Sequence, residues 1–234
     1  MRSAVLTAFA TAALALACAG SSDDAEQSAD AQTATTSEAD PTNQVDGNGL
    51  PAGWHARFDK AGTAPTSVKL VTMGDGFHVT SGPAALYWHD SMTVQDGANF
   101  RISADFAQSK APTHPEAYGL FAGGKDVETA GGSYIYVIVR GDGKYSVKHR
   151  ASDTEIHTVR DWTDSPALKK QDADGKATNS VAIDAAADSI RALVNGTQVW
   201  SAPRSYIGGM GGTYGYRVNH NLDLHLTPIT LTRR

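Results

Sequence analysis

From residue 50 onward the chain alternates apolar and polar side chains over short runs, and this period of two narrows its choice of fold more than any other feature. Phe100, Ile102, Ala104 and Phe106 fall on one side of such a run, with Asn99, Arg101, Ser103 and Asp105 on the other. A strand with one face in a core and the other in water is written this way. The same type recurs at 67–72, 76–81, 84–88, 116–122, 133–140, 144–150, 155–160, 180–185, 189–194, 197–201, 213–218 and 221–231. About a dozen strands at this spacing predict an all-β fold, a sandwich or barrel. Asn195-Gly196 between apolar runs predicts a two-residue type I′ hairpin turn, and Gly141-Asp142-Gly143 predicts a second hairpin with positive-φ glycines. Sustained helical periodicity is absent. The best helical candidate is 165–172, a turn or two capped by Ser165 with Pro166 at its first position.

The first 49 residues are of another kind. Arg2 precedes an almost wholly apolar run from Ala4 to Ala17, too short to span a bilayer and suited to a signal peptide over 1–17. Leu14-Ala15-Leu16-Ala17-Cys18 resembles a bacterial lipobox, although Leu would more usually stand where Ala15 does. Cys18 is the chain's one cysteine and falls at the cleavage point, where a thiol would carry diacylglycerol, so lipidation is the expectation and plain cleavage the alternative. That places the protein in the cell envelope, anchored by lipid to a membrane, with the outer membrane favoured because Ala19 and not Asp follows, or secreted. Residues 18–49 read as an acidic disordered tether. After the cysteine it holds seven carboxylates and no basic residue, and it cannot bury enough to fold. Its reach is about 30 Å. The one-domain remainder, 50–234, is large enough for a core that needs no disulfide.

Charge and motifs exclude several function classes. The formal net charge is −5, of which Arg2 contributes +1 and the tether −7, leaving +1 on residues 50–234. A nearly neutral domain lacks the basic excess of a nucleic-acid binder, so nucleic acid is not an expected partner. No HExxH, GxSxG, GxGxxG or phosphate loop occurs. Asp172-Ala173-Asp174-Gly175 looks like part of a calcium loop, but Lys170 and Val181 stand at its first and last ligand positions, so it reads as a solvated turn. The eight histidines show no ligand spacing. No metal site or cofactor is expected from motifs, and calcium binding is left open.

Two stretches carry a resemblance. Residues 179–200, opening on Asn179 and closing through Val194-Asn195-Gly196 to Trp200, resemble the late hairpin of laminin-G-type and concanavalin A-like jelly rolls. Residues 114–124 and 134–145 are similar to secreted bacterial members of that superfamily, some of them described as 3-keto-disaccharide hydrolases or family-sixteen-like glycosidases. The resemblance implies a two-sheet antiparallel β-sandwich with sugar held on a concave face. It also marks a departure: the Glu-x-Asp-x-x-Glu strand of the laminarinase-type glucanases does not occur in the domain.

Carbohydrate binding is therefore the leading expectation. Its partner is a glycan or polysaccharide. Tyr134, Tyr136 and Arg140 point away from Ile135, Val137 and Val139, and Arg217 and Asn219 away from Tyr214, Tyr216 and Val218. With Tyr118 and Trp162 they supply the rings and hydrogen-bonding groups that a sugar needs. The bland alternative is that the tyrosines are simply core. For the rival reading, glycoside hydrolysis, Glu116 beside His114 is the candidate acid, with Asp90 or Asp105 as partner; an isolated Glu116 in solvent is the plainer expectation. A structural surface protein without a small ligand is the third reading.

Overall fold

The computed structural model describes residues 42–234; the signal segment 1–17, Cys18 and most of the tether lie outside them. The described residues form two antiparallel sheets of eight strands each. The first runs β1 (Trp54–Phe58), β4 (Ala85–His89), β14 (Gly212–Val218), β7 (Ala117–Lys125), β8 (Ser133–Arg140), β9 (Lys144–Arg150) and β10 (Ile156–Asp164), with β5 (Thr93–Val94) also on β14. The second runs β13 (Thr197–Pro203), β12 (Ser189–Val194), β11 (Ala177–Ala185), β6 (Phe100–Gln108), β15 (Asp223–Leu226), β3 (Gly76–Ser81) and β2 (Val68–Met73), with β16 (Thr230–Arg233) also on β6.

The alternation does what its period requires. Phe100, Ile102 and Phe106 on β6 are fully buried and share one core with Leu120, Tyr118 and Val137 of the facing sheet. Each such side chain contributes about 1.5–3 kcal/mol by leaving water. The resemblance motif around Asn179 also has a physical basis. The buried Asn179 Oδ1 accepts from Lys169 N at 2.9 Å and Asn195 Nδ2 at 2.8 Å, and its Nδ2 donates to Lys169 O at 3.0 Å. One asparagine thus ties the β11–β12 hairpin to the 165–170 loop. At the hairpin tip Asn195 and Gly196 have φ of 48° and 80°, the positive pair of a type I′ turn.

Four local expectations are corrected. Residues 165–172 are not helical: Ala167 N donates to Ser165 Oγ and Leu168 N to Ser165 O, one turn that Asn179 then captures. The run 221–231 is broken into β15 and β16 at Pro228, which has no N–H to give β6. β10 does not stop at Arg160 but continues to Asp164, past two register shifts that scramble its alternation and so hid Trp162's place on a strand. Residues 42–49, assigned to the tether, touch the fold: Asn43 N donates to Asn221 Oδ1 at 2.7 Å, Gly47 N to Thr66 O at 2.9 Å, and Gly49 bridges Lys69. The Asp172–Gly175 segment is a turn closed by Asp172 Oδ1, which accepts from Asp174 N and Lys176 N.

Candidate functional site

The first sheet carries a second apolar cluster on its outward face, away from the sandwich core. Leu86, Phe121, Tyr134, Tyr136 and Ile138 are its buried floor, with Trp88 beside them and Trp162 of β10 packed at the margin. Register sets Arg57, Leu86, Arg217, Gly119, Ile138 and Ser146 in one row and Gly215, Phe121, Tyr136, Lys148 and Thr158 in the next. Gly215 is needed there, because a Cβ would come within 2.7 Å of the Phe121 ring.

A charged layer covers this floor. Arg217 Nη1 and Nη2 donate to the two oxygens of Asp59 at 2.7 and 2.6 Å, its Nε donates to Asn219 Oδ1 at 3.2 Å, and its guanidinium lies 5.6 Å from the Tyr136 ring centroid. Arg150 reaches Asp59 at 3.7 Å and Asp153 at 3.3 Å, while Arg57 pairs with Asp153 and donates to Tyr134 Oη at 3.4 Å. Burial alone would push the Asp59 carboxyl up; the charge and hydrogen bonds of Arg217, with Arg150 and Arg57 behind them, outweigh it and hold the group below the usual carboxylate range. Burial likewise opposes the Arg217 charge, but Asp59 more than offsets it and keeps that cation firmly protonated. Burial also pushes the Tyr136 phenol up, so it stays neutral. At the β10 edge Arg140 lies 4.3 Å over the Trp162 ring while pairing with Asp142.

Six of the expected binding residues therefore meet on one face: Tyr134, Tyr136, Arg140, Trp162, Arg217 and Asn219. Tyr118 does not join them. It shares parity with Leu120 and Ala122, lies between the sheets at 0% exposure, and stacks on Phe106 at 5.3 Å. Tyr134 and Tyr136 face the right way yet are 1% and 6% exposed, so they support the charged layer and do not offer bare rings. Trp162 is the half-buried ring.

The catalytic candidates are dispersed. Glu116 is not solvated: it is 5% exposed, with His220 Nδ1 at 2.9 Å and His114 Nδ1 at 3.6 Å. Asp90 is exposed and bonded to His55 Nε2 at 2.6 Å, past the far end of β4. The ladder from β7 through β14 sets Tyr118 level with Ala85, so Glu116 and Asp90 stand beyond opposite ends of β4. The four residue steps of that strand alone span about 13 Å, too far for two carboxyls flanking one glycosidic bond. Asp105 is on the other sheet, paired with Ser180.

Asp59, Arg57, Arg150 and Lys148 were missed from sequence. Arg57 lies on β1 and Asp59 just past its end; the other two had a legible signal, since β9 alternates Tyr145 and Val147 inward against Ser146, Lys148 and Arg150 outward. A cavity of about 510 Å³ lies apart, where Lys125, Ser133 and His149 approach Arg204 and Gly208, and takes only Tyr134 from the expected set. Among the described residues no group of three or more His, Cys, Asp or Glu could hold a metal ion.

By sequence no protein family and no curated protein matches the chain. Solved structures do. A carbohydrate-binding module, CBM66, from Bacillus subtilis aligns with TM-score 0.53 over 80% of this chain and 98% of its own, at 12% identity. The Bacillus licheniformis β-glucanase aligns with TM-score 0.52 over 83% and 99%, at 12% identity. The fold is that of the concanavalin A-like jelly rolls. A Bacillus subtilis protein of unknown function with a galectin-like fold gives TM-score 0.54 over 77% of this chain and 89% of its own, again at 12% identity.

Proposed function

We propose that this protein is an envelope lipoprotein whose jelly roll binds a glycan on the outward face of its first sheet. The observation that carries the reading is the composition of that face: an aromatic floor under a layer of guanidinium, amide, ammonium and carboxylate groups, with Trp162 at its margin. Saccharides are recognised by such pairs, C–H groups against rings and hydroxyls against fixed polar groups. The neighbours named as a carbohydrate-binding module and a glucanase agree with it at the level of fold.

Binding fits better than cleavage. Hydrolysis asks for one carboxyl kept protonated and a second left free as nucleophile or base. On this face Asp59 is clamped as a carboxylate by Arg217, Asp153 by Arg57 and Arg150, and Asp142 by Arg140. A screen of the full chain against immobilised oligosaccharides is expected to give saturable binding, with no shortened product when a bound sugar is incubated and chromatographed. Product release would favour the hydrolase, and a blank array the structural reading. For the anchor, Cys18→Ser is expected to move the protein from the membrane pellet to the soluble fraction; an unchanged pellet removes the lipid proposal.

A further inference from the structure

The cations on the outward face are not equivalent. Arg217 is matched by Asp59, Arg57 and Arg150 share Asp153, and Arg140 has Asp142. Lys148 has no such match. It stands in the row of Phe121 and Tyr136, directly across from Tyr136 in the β8–β9 ladder, and among the described residues no hydrogen-bond acceptor or carboxylate partners its ammonium. Burial is the largest influence on it; the Asp161 carboxylate attracts it from beyond ion-pair distance, more strongly than Arg217 repels it, without offsetting that burial. The neighbouring cluster has the same imbalance, with three guanidiniums of Arg57, Arg150 and Arg217 set against two carboxylates of Asp59 and Asp153.

A half-buried ammonium gives up hydration that the distant Asp161 carboxylate only partly makes good, and a carboxylate laid beside it would supply both a close counter-charge and a charge-assisted hydrogen bond. We propose that Lys148 selects an acidic saccharide, a uronic-acid-containing glycan whose ring carboxylate pairs with the ammonium while the sugar lies between Trp162 and Asn219. This rests on the reading of the outward face as a glycan site and adds the class of sugar to it. Burial lowers the proton affinity of Lys148 in the empty protein, in keeping with an ammonium that lacks its counter-ion. A neutral sugar would leave that charge unanswered, so the preference is electrostatic and weakens as salt rises.

The test uses the full chain and Lys148→Met, which keeps the unbranched stem and removes the charge. Titrations with hexameric galacturonate, alginate and hyaluronan fragments are set beside laminarihexaose and cellohexaose. The expected result is at least a tenfold preference for one of the acidic oligosaccharides, lost in Lys148→Met while the urea midpoint stays within error. If that variant fails to fold, Lys148→Gln takes its place. Neutral oligosaccharides bound as tightly as acidic ones, or an acidic preference that survives Lys148→Met, overturns the role of Lys148 and leaves the glycan site standing. Tighter binding of a sulfated dextran oligosaccharide than of any uronate overturns the carboxylate assignment. Binding of none of these sugars, or acidic binding that Trp162→Ala does not touch, overturns the site itself.

Discussion

Arg217→Met is expected to lower the unfolding free energy by about 3 kcal/mol, read as a fall in the urea midpoint at unchanged slope. The substitution removes both hydrogen bonds to Asp59, the one to Asn219, and the cation over Tyr136, and it strands the Asp59 carboxylate over an apolar floor. Because 32% of the Asp59 side chain remains in water, the loss belongs at the lower end of the range for broken buried pairs. Its pH signature separates it from a packing loss. Asp59 has a folded-state pKa depressed by the arginines, so its contribution is complete above the unfolded carboxylate value of about 4 and fades as pH falls through the lower folded one. The wild-type protein should therefore lose stability more steeply than Arg217→Met as pH falls below about 4. Parallel curves would show that Asp59 does not depend on Arg217.

The second large effect is expected at Trp162. Its ring is half-buried against the Tyr136 cluster, with Arg140 over one face. Trp162→Ala takes away the stacking surface and the seat of Arg140, and should weaken whichever oligosaccharide binds best on an array by tenfold or more in calorimetric titration. The fold should survive, since a marginal ring costs about 1–2 kcal/mol where a fully buried one would cost more. Tyr136→Phe makes a useful contrast. It leaves the floor in place and removes a phenol that is nearly all covered, so affinity should change by less than threefold. Equal losses in the two variants would mean that the ring and the floor do not play the separate parts assigned to them.

The contrast between Tyr118 and Tyr136 shows how far the sequence could be read. Parity along a strand is local information, and it correctly set Tyr134 and Tyr136 opposite Ile135 and Val137, and Arg217 opposite Tyr216. Which parity faces the second sheet is decided by partners far along the chain, and Tyr118 belongs to the inner face because Phe106, on a distant strand, lies against it. The same limit hid the depth of the site. Asp59 meets Arg217 from 158 positions away, so no spacing rule could announce the clamp that covers Tyr136. The burial of Glu116 is hidden from the sequence for a like reason: His220 lies beyond β14, which the ladder brings alongside β7. Trp162 had the right chemistry attached to the wrong local structure, since two bulges erased the period of two that would have placed it on a strand.

The most direct test of the central claim is a titration of the ¹⁵N-labelled full chain with array-selected oligosaccharide, followed by amide and indole shifts. The account predicts saturable shifts confined to one sheet face: the Trp162 indole and the amides of Arg140, Lys148 and Asn219, with 99–108 and 177–194 of the second sheet unmoved. Shifts gathered instead at Lys125, His149 and Arg204 around the end cavity, or none at saturating sugar, would contradict it.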